Sequence, residues 1–219
     1  KKWILELPFS TAVNYVQICV DGQEVLSPDL PIAHGYCRPY NYIELPDEEG
    51  LFELRDVPHG TLTQEFYKSK ISDNWEKLIV YLPPCVPSAG LPVLYLQHGF
   101  GESEISWSTT GKVNLLMDNL IAAGKIKPFA IVMGNGMVKQ RIDGELKLNR
   151  ALYGQMLVGE ILPMMEKKYQ FGGSKEKRGM AGLSMGSVQT TRTICAHPEL
   201  FSEVGIFSGF LRDRIVGDE

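Results

Sequence analysis

The pentapeptide Gly182-Leu183-Ser184-Met185-Gly186 constrains the fold of this chain more than any other feature. It follows an apolar approach that ends at Ala181, and it precedes residues 187–196, which contain neither glycine nor proline. His197-Pro198 then predicts the end of a helix. The sequence therefore predicts a strand, a tight turn at Ser184 and a helix, in that order.

This arrangement has a chemical reason. A serine hydroxyl attacks a carbonyl carbon when a base accepts its proton and when the side chain projects clear of the backbone. A strained turn projects the side chain, and flanking glycines let strand and helix pass without a Cβ clash. The N–H of Met185 would lie at a helix N-terminus, where it can stabilise an oxyanion. We predict that Ser184 is a catalytic nucleophile; the alternative is a glycine-rich turn with an incidental serine.

A second motif follows the apolar run at residues 91–97, where the sequence HGFG begins at His98. A central parallel strand that ends in a glycine-rich loop has this pattern. The loop can direct the N–H of Phe100 or Gly101 to the same point as the N–H of Met185. We predict an oxyanion hole formed by Phe100 and Met185. For His98 we predict a role in bracing the loop rather than in proton transfer.

Strands alternate with helices through residues 57–219, which predicts an α/β domain with a parallel sheet and right-handed crossovers. The first two strands form an antiparallel pair. A helix around residues 113–121 ends at Gly124, and a second around 156–165 contains Pro163, which must kink it or restart it. The predicted strands other than the one before Ser184 cover residues 61–70, 77–82, 91–97, 128–133 and 203–209.

Residues 1–46 are predicted to be all β, with alternating residues 3–7 as the first strand. Asp21-Gly22 separates β-rich runs at 14–20 and 23–26, which predicts a hairpin with a type I′ turn. A third run covers residues 40–45. These strands are too few for an independent sandwich, so the segment is a remnant of a larger β domain or packs on the residues after it. The acidic residues 47–56 are the predicted linker to the domain at 57–219.

Composition excludes several functions. The net charge is −4 and the pI is about 5.7, which argues against nucleic-acid binding. No apolar run approaches the roughly 18 residues of a membrane span. Four cysteines lack C-x-x-C spacing and four histidines lack metal-ligand spacing, so we predict neither a metal nor a cofactor. Buried free thiols are the expectation, although disulfides remain open. The chain begins at Lys1 without a signal peptide, which predicts a fragment boundary.

Residues 57–210 resemble the esterase D-like branch of the α/β-hydrolases, which includes the feruloyl and acetylxylan esterases of carbohydrate esterase family 1. The order and spacing of the matching segments carry the resemblance. They are YLPP at 81–84, LPVLYLQHG at 91–99, DNLIAAGK at 118–125, AGLSMG at 181–186, HPELF at 197–201 and FSG at 207–209. The resemblance implies an α/β-hydrolase fold and a secreted or periplasmic bacterial serine esterase.

The N-terminal β segment resembles the second half of the starch-binding-like, immunoglobulin-type early-set domain that precedes many bacterial members. Asn14-Tyr15 and Val20-Asp21-Gly22 carry this resemblance. The sequence VPHGT at 57–61 resembles the junction in such two-domain esterases, which implies a structural role for His59.

Two departures from the family pattern matter. Ser187 stands where the family commonly has glycine, which is a mild change. The family's triad acid and base follow two later strands, and the chain ends before either, so the predicted α/β-hydrolase sheet and its active site are C-terminally incomplete. We interpret His197 as a helix-end residue. Asp213 and Asp218 are at best acids from a non-standard position.

The resemblance implies hydrolysis of ferulate or acetate esters of plant cell-wall polysaccharide such as arabinoxylan, through an acyl-enzyme. Polar residues 135–151 predict a mobile rim rather than a lipid tunnel. Two alternatives remain. One is a siderophore (enterobactin-type) esterase, which arginine-rich substrate loops would favour. The other is a catalytically incomplete pseudo-esterase that binds carbohydrate through its β segment.

Overall fold

The computed structural model of the protein describes residues 4, 6–9 and 12–209, and its elements alternate as predicted after the first 60 residues. The strands are β1 (Ala12–Val16), β2 (Ile18–Val20), β3 (Gln23–Val25), β4 (Ile32–Gly35), β5 (Arg38–Leu45), β6 (Thr61–Lys68), β7 (Trp75–Leu82), β8 (Val93–Gln97), β9 (Ala130–Gly134), β10 (Lys139–Ile142), β11 (Glu145–Leu148), β12 (Arg178–Leu183) and β13 (Glu203–Phe207). The helices are α1 (Ser106–Thr109), α2 (Val113–Ala122), α3 (Tyr153–Met156), α4 (Leu162–Tyr169) and α5 (Met185–Ala196).

A six-stranded sheet in the order β13-β12-β8-β9-β7-β6 forms the centre of the molecule. The first four of these strands are parallel to one another. Strand β7 runs antiparallel to its two neighbours, β9 and the edge strand β6. All five residues of β9 are buried, as expected for a strand with both faces covered. The predicted α/β fold is therefore confirmed.

Helices cover both faces of this sheet. On one face, Tyr95 and Met180 pack with residues of α3, α4 and the π-helical segment Leu157–Ile161 between them. On the other face, Leu96 and Ile131 pack with α2. Pro163 lies in the first turn of α4, directly after the π-helical segment. The backbone stays helical through Ile161 and Leu162, so the helix changes type ahead of Pro163 and does not restart after a break.

The N-terminal segment, residues 12–45, forms a three-stranded antiparallel sheet β1-β5-β4 and the separate hairpin β2-β3. Asp21 and Gly22 have φ of 51° and 79°, which confirms the type I′ turn. The predicted strand at 3–7 is wrong for Ile4, Glu6 and Leu7, which belong to no strand; Trp3 and Leu5 lie outside the described residues. The predicted run 14–20 divides at Gln17, because β1 pairs with β5 and β2 pairs with β3.

The N-terminal segment and the residues after it pack onto the α/β unit. Asn119 Nδ2 donates hydrogen bonds to the carbonyls of Leu51 and Glu53, at 2.8 and 2.9 Å. Buried Asp118 accepts from the N–H of Gly60 at 3.0 Å and pairs with His59 Nδ1 at 3.0 Å. These contacts agree with a structural role for His59. The immunoglobulin-like identity of the segment and its boundary at 46 stay predictions.

Three further findings concern the described residues. None of their helices is long and apolar enough to cross a membrane. No three of their histidine, cysteine and acidic side chains are grouped to hold a metal. The expectation of buried thiols is wrong, because Cys19, Cys37, Cys85 and Cys195 are all free and exposed. Each lies on a loop or an outward face rather than in the two apolar layers.

Candidate active site

Ser184 lies at a strained turn between β12 and α5. Its φ of 51° and ψ of −109° fall in a region that residues with a side chain rarely occupy. The turn is held by the N–H of Ser184, which donates to the carbonyl of Phe207 on β13 at 2.9 Å. Backbone strain of this kind persists where the surroundings determine it, and it occurs often at active sites.

The two glycines of the pentapeptide permit this turn. A Cβ on Gly182 would lie 2.2 Å from the carbonyl oxygen of Gly186 and 2.8 Å from Thr190 Oγ1. A Cβ on Gly186 would lie 2.6 Å from the carbonyl oxygens of both Gln97 and His98. Helix α5 therefore approaches β8 and β12 at a distance that only glycine allows.

Ser187, the departure from the family pattern, fits this turn. It is fully buried, and its Oγ donates to the carbonyl of Ser184 at 2.6 Å. Its N–H donates to the same carbonyl at 3.0 Å. The extra hydroxyl is thus hydrogen-bonded within the helix, which explains why a side chain is tolerated here.

Ser184 opens into a cleft of about 710 Å³, which the two predicted oxyanion donors also line. Met185 is the first residue of α5, so its N–H has no acceptor within the helix. Phe100 follows β8 in the loop of residues 98–101, called here the 98–101 loop. The fold therefore brings Ser184, Met185 and Phe100 to one cleft, at the carboxyl ends of neighbouring parallel strands.

His98 connects the 98–101 loop to the loop that contains Gly136. Its ring is 1% exposed; Nδ1 donates to the carbonyl of Gly99 at 2.8 Å and Nε2 accepts from the N–H of Gly136 at 2.9 Å. Burial lowers the pKa of His98, so the ring is neutral near pH 7. Both ring nitrogens are engaged with backbone, which agrees with the predicted bracing role.

Sequence reasoning missed two other contacts of the 98–101 loop. The N–H of Gly99 donates to Glu102 Oε2 at 2.9 Å, and the N–H of Gly101 donates to Met137 Sδ at 3.4 Å. Burial raises the pKa of the Glu102 carboxyl. An acidic residue three positions after a loop glycine was the available signal for the first contact.

His197 lies too far along α5 to be the base for Ser184. Thirteen residues separate them, which at 1.5 Å per residue is about 20 Å. Its Nδ1 lies 3.5 Å from Glu199 Oε1, and it lines the distal end of the cleft. The interpretation of His197 as a helix-end residue agrees with this position. Asp213 and Asp218 lie outside the described residues.

Residues 148–151 form one wall of the cleft, and they lie at the end of a hairpin that the sequence reasoning missed. Strands β10 and β11 pair antiparallel through Asp143 and Gly144, whose φ are 52° and 82°. The predicted rim at 135–151 is therefore largely a regular hairpin with a polar, exposed surface. The Asp-Gly pair was the signal that could have identified it, as it did at residues 21–22.

Two arginines and a buried glutamine complete the cleft. The guanidinium of Arg150 lies 5.1 Å above the ring of Phe100. Gln189 Nε2 donates at 3.0 Å to the carbonyls of both Gly136 and Arg150, so it ties this wall to α5. Arg192 lines the cleft two turns beyond Ser184. The described lining contains no carboxylate.

Known proteins similar to this chain are esterases. Residues 69–215 match the model of the family Esterase, described as "Putative esterase". The chain is 35% identical over 213 residues to an endo-1,4-beta-xylanase/feruloyl esterase of Xylanibacter ruminicola, covering 93% of this chain and 29% of that protein. A solved ferulic acid esterase has a TM-score of 0.59 at 29% identity, covering 67% of this chain and 59% of the other.

A CE1 ferulic acid esterase from the anaerobic fungus Anaeromyces mucronatus has a TM-score of 0.62 at 23% identity. The match covers 71% of this chain and 61% of the fungal one, and at this identity it supports the fold alone. The chain thus spans less than a third of the curated relative and about three fifths of each solved chain.

Proposed function

The chain belongs to the Esterase family, and on that premise we propose that it forms part of a serine hydrolase of carboxylic esters with Ser184 as nucleophile. The observation that carries this proposal is the strained turn of Ser184 between a central parallel strand and a helix N-terminus. Such a turn has a conformational cost, and exposing a serine hydroxyl to a cleft is the function that accounts for it.

The chemistry proceeds in two steps. Ser184 Oγ attacks the ester carbonyl carbon and gives its proton to a histidine, which the resemblance implies after two later strands. The tetrahedral oxyanion accepts hydrogen bonds from the N–H groups of Phe100 and Met185. When the intermediate collapses, the C–O bond breaks, the alcohol leaves with the proton from the histidine, and an acyl-enzyme remains. Water attacks this acyl-enzyme in the same way and releases the acid and Ser184.

Two features of the fold support these donors. The N–H of Met185 stands at the positive end of the dipole of the 12-residue helix α5. The 98–101 loop is held by the ring of its first residue, His98, and by the side chains of Glu102 and Met137. Its N–H groups therefore need little reorganisation when the oxyanion forms.

For the substrate, we propose ferulate or acetate esters of plant cell-wall polysaccharide such as arabinoxylan. The name of the Xylanibacter ruminicola relative, which combines xylanase and feruloyl esterase, supports this class. The cleft supports it as well, because its walls include Asn149, Arg150, Gln155 and Arg192, as a hydroxylated substrate requires. A secreted or periplasmic location is part of the same proposal.

Labelling with a fluorophosphonate tests the nucleophile. In the full protein, Ser184→Ala should abolish labelling and lower kcat by about four orders of magnitude or more, because the attacking oxygen is lost. Exposed Ser174 provides the control, since Ser174→Ala should keep both labelling and turnover. Labelling of another serine, with turnover surviving in Ser184→Ala, would overturn the proposal.

A further inference from the structure

Strands β4 and β5 are joined by a two-residue turn, Tyr36 and Cys37, called here the 36–37 turn. Both residues have positive φ, 50° and 65°, as a type I′ turn requires. Turns of this type favour Asn-Gly or Asp-Gly, because side chains are strained in this region. The chain meets that preference at residues 21–22 but not here. Something outside the turn therefore holds it in this conformation.

The 36–37 turn is held by hydrogen bonds to the 98–101 loop. The N–H of Tyr36 donates to the carbonyl of Phe100, and the N–H of Cys37 donates to the carbonyl of Gly101, each at 3.2 Å. Gly101 has φ of 74°, and a Cβ there would lie 2.1 Å from the nitrogen of Cys37 and 2.5 Å from the carbonyl carbon of Tyr36. The two backbones touch directly, with no side chain between them.

These bonds fix the peptide unit next to the predicted oxyanion donor. The Phe100 N–H belongs to the peptide unit whose carbonyl, that of Gly99, accepts from His98 Nδ1. The following unit is held at its carbonyl by Tyr36 and at its N–H by Met137 Sδ. Phe100 is thus fixed on both sides, and the second support comes from the N-terminal segment.

We infer that the 36–37 turn is a positioning element of the active site, which sets the direction of the Phe100 N–H through main-chain hydrogen bonds. This inference rests on the proposed function, in which that N–H stabilises the oxyanion. The N-terminal segment therefore contributes to the rate of the chemical step and not only to stability. A misdirected donor weakens transition-state binding while it leaves ground-state binding largely intact, so kcat falls and KM does not.

Two matched proline variants of the full protein test this inference with methyl ferulate as substrate. Cys37→Pro imposes negative φ and removes one N–H donor, which breaks the 36–37 turn. Gly22→Pro makes the same change at the same position of the other type I′ turn, where a Cβ would meet no atom within 4 Å. We expect Cys37→Pro to lower kcat at least about tenfold, with KM within about twofold of the wild type, since losing an oxyanion donor outright costs about 100-fold or more.

Gly22→Pro should keep wild-type kcat, and the thermal midpoints of both variants should lie above the assay temperature, so that both are assayed in the folded state. Equal kcat in Cys37→Pro and Gly22→Pro would overturn the inference alone. A wild type without Ser184-dependent turnover would overturn the proposed function and this inference with it. The two failures are therefore distinguishable.

A second pair tests the loop side of the contact. Gly101→Ala should lower kcat with KM unchanged, because its Cβ forces the loop and the turn apart. Gly124→Ala has a similar φ, 66°, and no neighbour within 4 Å, so it should keep kcat. The double variant Tyr36→Asn, Cys37→Gly keeps the turn and both N–H groups and should be fully active. Loss of kcat in that double variant would show that side chains act here, and would overturn the main-chain mechanism.

Discussion

His98 holds two loops together through one neutral ring. Its Nδ1 binds the 98–101 loop and its Nε2 binds the N–H of Gly136, both inside a buried environment. Protonation would turn Nε2 from an acceptor into a donor facing an N–H, so the charged form is excluded by contact as well as by burial. The residue therefore links the stability of this site to pH.

We predict that His98 makes the protein less stable as the pH falls. Its pKa in the folded state lies below the unfolded value of about 6.5, so the unfolded state binds more protons in this range. The stabilisation is complete above pH 6.5 and is lost as the pH falls toward the folded pKa. Urea unfolding of the wild type and of His98→Gln, at pH 7.5 and pH 5.5, measures this effect.

The Gln variant keeps an acceptor for Gly136 but does not titrate, so its loss of stability between the two pH values should be smaller. Burial raises the pKa of the Glu76 and Glu102 carboxyls, so their contribution to the pH dependence of stability has the opposite sign. Both proteins contain these carboxyls, so the difference between the two proteins isolates His98. An identical loss in both proteins would contradict the prediction. His98→Ala, which leaves two buried groups without partners, should cost about 2 to 4 kcal/mol at pH 7.5.

Helix α5 and strand β8 are positioned by a contact between backbones. The closest approach is at Gly186, where an added Cβ would meet two carbonyl oxygens at 2.6 Å. Gln97 is the last residue of β8, and His98 is held through both of its ring nitrogens, so we expect the helix to move rather than these carbonyls. Any such movement changes the position of Met185, the residue before Gly186.

We predict that Gly186→Ala lowers the free energy of unfolding by about 1 to 3 kcal/mol, in spite of the higher helix propensity of alanine. It should also slow the labelling of Ser184 by a fluorophosphonate. The control is Gly159→Ala in the π-helical segment, where the nearest atom to the Cβ is Ile71 Cδ1 at 3.7 Å. That change should leave stability the same or raise it. Equal stability of the two variants would contradict the steric argument.

The elements that could be predicted are those with a local signal. Pro163 marked an irregularity in a helix, and Asp21-Gly22 marked a turn, because each restricts or favours particular backbone dihedrals by itself. The 36–37 turn could not be predicted in this way, since neither Tyr36 nor Cys37 favours positive φ. Its conformation depends on a contact with residues more than 60 positions away, which no local pattern contains.

The whole molecule presents its cleft at the carboxyl edge of the parallel strands, as the sequence order implies for an α/β sheet. Ser184, Phe100 and Met185 could be assigned to this edge from their positions after predicted strands. The other cleft residues could not, because Arg150, Gln189 and Arg192 carry no motif. Arg150 and Gln189 come together where the residues on either side of the β10–β11 hairpin meet α5.

The form of this cleft leads to a prediction about substrate class. Its walls are polar on two sides, and the exposed hairpin beside it does not enclose a tunnel. We expect the full protein to cleave methyl ferulate or acetylated xylan with kcat/KM at least about tenfold above long-chain p-nitrophenyl esters. That ratio corresponds to about 1.4 kcal/mol of transition-state stabilisation. Competition assays with these esters measure the ratio.

A preference for long-chain esters would reject the polysaccharide class. Ferric enterobactin belongs in the same comparison, because Arg150 and Arg192 line a cleft without a carboxylate and could attract an anionic ligand. Faster cleavage of ferric enterobactin than of both ester classes would replace the proposed substrate with a siderophore.

The hydrogen bonds between the 36–37 turn and the 98–101 loop also bear on how such a protein can evolve. Both bonds join main-chain atoms, so mutation can exchange the side chains at 36 and 37 without breaking either bond. Selection would then act on the length of the turn and on the absence of a side chain at Gly101. In descendants of this sequence we expect these two properties to be inherited together, and recombination that exchanges the N-terminal segment to succeed where both are matched.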